Sequence, residues 1–170
     1  MTPSLKALVV TVLFALAGVA GFMMSEKTPT TLPLAIFYAT LTLNSYFSIK
    51  LFSSIVPPDD KKQWVVDGLL VVSYLALAWF ISNPIFFFLA ILFLFIIAAF
   101  KYTLLLGTIS HPKLLKKKIF IDLCGVLMGA IAVTLAGFGF VIETAWAVAI
   151  AFVLANVLLL FIRPMYKIID

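Results

Sequence analysis

The chain is built from long apolar stretches separated by short polar breaks. A membrane-spanning helix needs about 20 predominantly apolar residues, and six stretches meet that length: about 5–24, 32–55, 64–81, 84–106, 119–142 and 145–162. Pro33, Pro84, Pro112 and Pro164 stand at or near their edges, where a missing backbone N–H costs little. The first stretch reads as a span rather than a cleaved secretory signal, because its apolar run of about 18 residues exceeds the usual signal core. The expected fold is therefore all-α: a single transmembrane domain over residues 1–170, a polytopic bundle of six helices.

Composition supports lipid as the solvent. Of the 170 residues, 65% are apolar and only 11% charged, against roughly 25% charged in a soluble domain. The net charge of +5 comes from the orientation bias of membrane loops, so no nucleic-acid partner is expected. Lys6, Lys50, Lys61, Lys62, Lys101, Lys113, Lys116, Lys117, Lys118, Arg163 and Lys167 all fall on one side of a six-span arrangement, and Lys27 alone on the other. That asymmetry predicts both termini in the cytoplasm, and the expected location is a prokaryotic plasma membrane. Trp64, Trp79 and Trp146 lie near segment ends, as interfacial anchors do.

A second regularity concerns the polar breaks. At an offset of 55 residues, Pro57, Lys61, Lys62 and Asp67 fall on Pro112, Lys116, Lys117 and Asp122. Short outer turns pair helices one with two, three with four and five with six, and three parallel hairpins in a pseudo-threefold array would generate this echo. Any lysine-rich loop before a helix gives part of the same pattern. Packing clues are Gly125 and Gly129, one turn apart, and the alanine stripe Ala147, Ala151 and Ala155; small faces let membrane helices approach closely. The phenylalanines crowd the fourth stretch, which is expected to face lipid or a partner subunit.

Candidate chemistry is sparse. One histidine and one cysteine cannot make a zinc site or a bis-histidine haem site within one chain, so no metal and no cofactor is expected. Nucleotide-binding, zincin and serine-hydrolase motifs are absent, and His111 lies in a lysine-rich loop. Lys50, Lys101 and Arg163 each fall near the ends of even-numbered helices, while Asp67 and Asp122 fall about three residues into odd-numbered ones. They form a belt at one boundary of the membrane. As a site, the belt would take up protons, cations or an anionic group. As structure, each aspartate would be stabilised by a first helical turn, each cation would reach the interface, and Asp67–Lys101 or Asp122–Lys50 would pair. Asn44 and Asn156 lie at similar depth and could face each other across two helices. Lys113, Lys116, Lys117 and Lys118 are expected to contact lipid head groups.

Three functions remain open: a small transporter or channel for an ion or solute, a non-catalytic subunit or assembly factor of a membrane complex, and an enzyme acting on lipid at the inner leaflet. The expected partners are membrane lipids and either further copies of the chain or a membrane subunit.

Overall fold

The computed structural model describes residues 2–56, 61–107 and 111–166. Pro57 and Lys167, used above for the repeat and the charge count, lie outside them. The described residues form six α-helices: α1 (Pro3–Met24), α2 (Thr31–Ile55), α3 (Lys61–Trp79), α4 (Pro84–Leu105), α5 (Pro112–Gly137) and α6 (Val141–Val157). A π-helical turn, Leu158–Ile162, prolongs α6. Five helices are long and apolar enough to cross a membrane. The sixth, α3, has only 19 residues, and its first turn is polar with Lys61, Lys62 and Gln63.

Local chemistry sets the helix ends. Asn83 caps α4 by accepting from the Phe86 N–H at 3.4 Å, with Pro84 next to it at the first helical position, where its ring is pre-organised. Thr2 and Pro3 do the same for α1. α5 stops at Gly137. There the Phe140 N–H reaches the Leu135 carbonyl (3.1 Å) and the Gly139 N–H reaches that of Ala136 (3.0 Å). This double closure requires the left-handed conformation that Gly139 adopts (φ 95°).

The start of α5 departs most from the hydropathy reading. The helix begins at Pro112, seven residues before the apolar run, because hydropathy marks where lipid begins and not where a helix does. The lysine run is thus the first two turns of α5. Asp122 sits ten residues in, about 15 Å along the axis. It is beyond reach of the first-turn N–H groups that would have stabilised it at a helix start.

The helices touch in the cyclic order α1, α2, α6, α5, α4, α3 and back to α1. A threefold array of hairpins requires odd and even helices to alternate around the ring. Here α2 neighbours α6 and α1 neighbours α3, so the described helices do not follow that order. The most extensive pairing, α4 with α5, also crosses between two proposed hairpins. Close approach explains it. A Cβ on Gly129 would lie 3.0 Å from the Leu92 Cα, and one on Gly125 2.5 Å from the Phe95 ring.

The same pairing overturns the expectation that α4 faces lipid. It is the most buried span, with Phe87, Phe88, Ile91 and Phe95 in the core and Phe93 and Phe100 outside. Phe37 of α2 and Phe152 of α6 pack with ring centroids 4.3 Å apart, and Phe14 of α1 stacks on Tyr74 of α3 at 4.1 Å. These residues belong to one continuous apolar cluster. The alanine stripe is also reassigned: Ala147, Ala151 and Ala155 are exposed, and α6 packs instead through Ala145, Val148, Ala149 and Phe152. Trp64 and Trp79 are outward-facing, as interfacial anchors should be.

Candidate functional site

Near the end where α1, α3 and α5 begin, buried polar side chains converge from α2, α3, α4, α5 and the segment after α6. At the centre is α5. Its inward face runs Leu115, Lys118, Asp122, Gly125, Gly129, Ala132, Ala136, in steps of three and four. Lys118 and Asp122 stand one turn apart on this face and form an ion pair. Their side chains are 8% and 0% exposed. Placing lysine before aspartate is the weaker order for such a pair on a helix, so helix stability alone gives no reason for it.

Around the pair stand hydroxyls and one amide. The Lys118 ammonium lies over the Tyr102 ring, 5.1 Å from its centroid, within range of a cation–π contact. The Tyr102 and Ser48 hydroxyls share a 3.0 Å hydrogen bond between α4 and α2. The Tyr166 hydroxyl donates to Asn44 Oδ1 at 2.9 Å. Ser45 and Tyr74 pair through their hydroxyls one turn deeper. Tyr166 follows the π-helical turn; the chain folds back there with Met165 buried and its N–H on the Leu159 carbonyl (2.9 Å). Burial pushes the Tyr166 hydroxyl above its ordinary pKa, while the charge of Lys118 pulls it down.

One atom in this cluster is left over. Asp122 Oδ2 is buried and meets no donor among the described residues, although a buried carboxylate ordinarily has both oxygens satisfied. A carboxylate oxygen in that position is able to accept a hydrogen bond, a proton or a cation.

The belt expected from the sequence is only partly assembled. Asp67 and Lys101 pair as expected, at 2.5 Å, but with 47% and 15% of their side chains exposed. Asp122 pairs with Lys118 instead of Lys50. Lys118 is consequently a core residue and not a head-group contact, whereas Lys113, Lys116 and Lys117 are exposed. Lys50 and Arg163 are exposed, with Lys50 5.9 Å from the Tyr46 ring centroid. The asparagines do not bond each other: Asn44 accepts from Tyr166, and Asn156 donates to the Phe152 carbonyl at 2.8 Å. His111 stands at the N-cap position of α5. Among the described residues no three of His, Cys, Asp and Glu converge as metal ligands.

Sequence reasoning missed Tyr102, Tyr166 and the burial of Lys118. The last was within reach, because counting back from Gly129 and Gly125 in steps of four and three lands on Asp122 and Lys118. The tyrosines come from separate elements and carried no signal.

The two ion pairs should behave differently. Asp67→Asn is expected to change stability by less than about 1 kcal/mol, the usual range for a solvent-accessible pair. Thermal unfolding in mild detergent would check this, and a large drop would mean that Asp67 carries more than a surface contact.

No protein-family model matches this chain, and neither a curated protein nor a solved structure does.

Proposed function

We propose that the chain is a small membrane carrier for protons or a proton-coupled solute, with Asp122 as the accepting carboxylate and its lysine-rich end in the cytoplasm. A single observation carries the reading: the Lys118–Asp122 pair is buried in a membrane bundle with one carboxylate oxygen unpaired. Burying ions costs several kcal/mol each, and ionisable groups inside membrane proteins are kept mainly where they function. The step is simple. A proton arriving at Oδ2 neutralises Asp122, weakens its hold on Lys118, and leaves the ammonium to the Tyr102 ring and the neighbouring hydroxyls. Toward the other end Phe37, Phe87, Phe95 and Phe152 fill the bundle, so delivery requires the helices to part there.

The test uses liposomes containing the purified protein, a trapped pH-sensitive dye and an imposed potassium diffusion potential. Wild type is expected to acidify the interior, and Asp122→Asn to slow this by at least about tenfold while eluting as a folded protein. Equal rates in the two, or no proton entry with folded wild type, would overturn the reading.

A subunit reading has one observation in its favour. An apolar groove of about 340 Å³ lies between α5 and α6, with Cys124, Ala147 and Ala151 along it, and small exposed residues of this kind admit a helix from a second copy or a partner. Disulfide-linked dimers through Cys124 on mild oxidation in native membranes would support it.

A further inference from the structure

The geometry points to a binding site for one anionic phospholipid in a groove over the end of α2, between the start of α1 and the π-helical turn after α6. The groove has a volume of about 570 Å³, within the range of ligand pockets. Its floor is a single stripe of α2, Phe47, Lys50, Leu51 and Ser54, at the three-and-four spacing of one helix face. Leu159 and Leu160 form one wall, and Pro3 and Ser4 the other.

Three features fix the class of ligand. First, the charge in the lining is positive: Lys50 stands there with the hydroxyls of Ser4 and Ser54 beside it, and among the described residues no acid lines the groove. Second, the wall made by Pro3 and Ser4 is the first turn of α1, so the positive end of that helix opens onto the same space. Third, the rest of the lining is mainly apolar. Lys50 lies 19 residues after the start of α2, about 28 Å along the axis and so close to the hydrocarbon boundary at about 30 Å. A phosphate at Lys50 with an acyl chain along Phe47 and Leu160 satisfies all three. A soluble anion would leave the apolar walls uncovered. The wall of α6 stands as it does because the chain leaves α-helical geometry there, with the Arg163 N–H on the Leu158 carbonyl (2.7 Å), and π-helical turns of this kind recur at functional sites.

The groove shares Tyr166 with the Lys118–Asp122 cluster, but Lys50 and Leu160, the two residues changed below, take no part in that cluster, so lipid retention is read separately from proton carriage. The experiment is native mass spectrometry of the full chain extracted from vesicles of equal phosphatidylglycerol and phosphatidylcholine. Wild type is expected to retain one phosphatidylglycerol. Lys50→Glu reverses the charge and Leu160→Trp fills the groove; each should lower retention by about tenfold. Lys62→Glu, an equal charge change at the exposed start of α3, should retain as wild type does. Equal retention in all four proteins, a loss in Lys62→Glu as large as in Lys50→Glu, or retention of phosphatidylcholine equal to that of phosphatidylglycerol would overturn the proposal.

Discussion

Asp122→Leu is expected to destabilise the protein by about 3–5 kcal/mol, whereas Lys118→Met combined with Asp122→Leu recovers most of that loss. The reason lies in what each change leaves behind. The single substitution strands an ammonium whose side chain is 8% exposed, over the Tyr102 ring and among hydroxyls that do not neutralise it. The double substitution leaves apolar side chains of similar volume on the inward face of α5. For a chain of this length the single change corresponds to a fall of about 10 °C in the unfolding midpoint. The midpoint can be followed by the fraction that still elutes as a monodisperse peak after heating in mild detergent. Should the double variant be as unstable as the single, the pair would be holding the bundle together rather than being tolerated within it. Lys118→Met alone is the milder change, because Asp122 can take up a proton and become neutral. Liposomes containing the double variant should be folded and inactive in the proton-entry assay, which separates stability from carriage.

Gly129→Leu and Gly21→Leu are expected to be the most damaging substitutions outside the ion pair, at about 3 kcal/mol or more each. Both glycines face backbone, which cannot turn aside as a side chain can. A Cβ at Gly129 would meet the Leu92 Cα and N at 3.0 and 3.1 Å, and one at Gly21 would run into the Ala78 carbonyl group. The first would wedge α5 off α4 and the second α1 off α3. Gly68 is the internal control, since no described atom lies within 4 Å of a Cβ placed there. Gly68→Ala should be neutral or gain up to about 1 kcal/mol, because alanine is the better helix former. The three variants compared by the same heating assay decide the matter: equal effects at Gly68 and Gly129 would contradict the close α4–α5 approach.

The ion pair and Gly129 share one stripe of α5, and that stripe was only half legible in the sequence. Gly125 and Gly129 stood out as a packing face, since small residues one turn apart on an apolar helix mark where a second backbone can come close. The lysines before them were legible only as charge. A run of lysines at a helix start satisfies the orientation bias whether or not one of them points inward, so nothing in the run itself singled out Lys118. What turns it inward is the continuation of the Gly125–Gly129 face through Asp122, and that required the helix to begin at Pro112. The alanine stripe of α6 failed for the opposite reason. Alanine is small enough to pack and apolar enough to face lipid, so Ala147, Ala151 and Ala155 had no preference that the sequence could disclose. The phenylalanines of α4 were misplaced similarly, because lipid and a protein interior are equally apolar and burial leaves no mark on hydropathy.

By itself the sequence determined that the chain forms apolar helices of membrane length, where their breaks fall to within a few residues except at α5, and that its cationic residues gather at one end. Those properties depend on hydropathy summed over about 20 neighbouring residues and on proline and glycine acting locally, so they need no knowledge of the fold. The tertiary structure alone decided that α4 is central, that α2 stands between α1 and α6, and that Asp122 pairs with Lys118 while Asn44 pairs with Tyr166, 122 residues away. In a membrane no hydrophobic force selects which helix faces which. The order around the ring is set by where glycine lets two backbones meet and where a buried polar group finds its partner, and both are matters of three-dimensional fit.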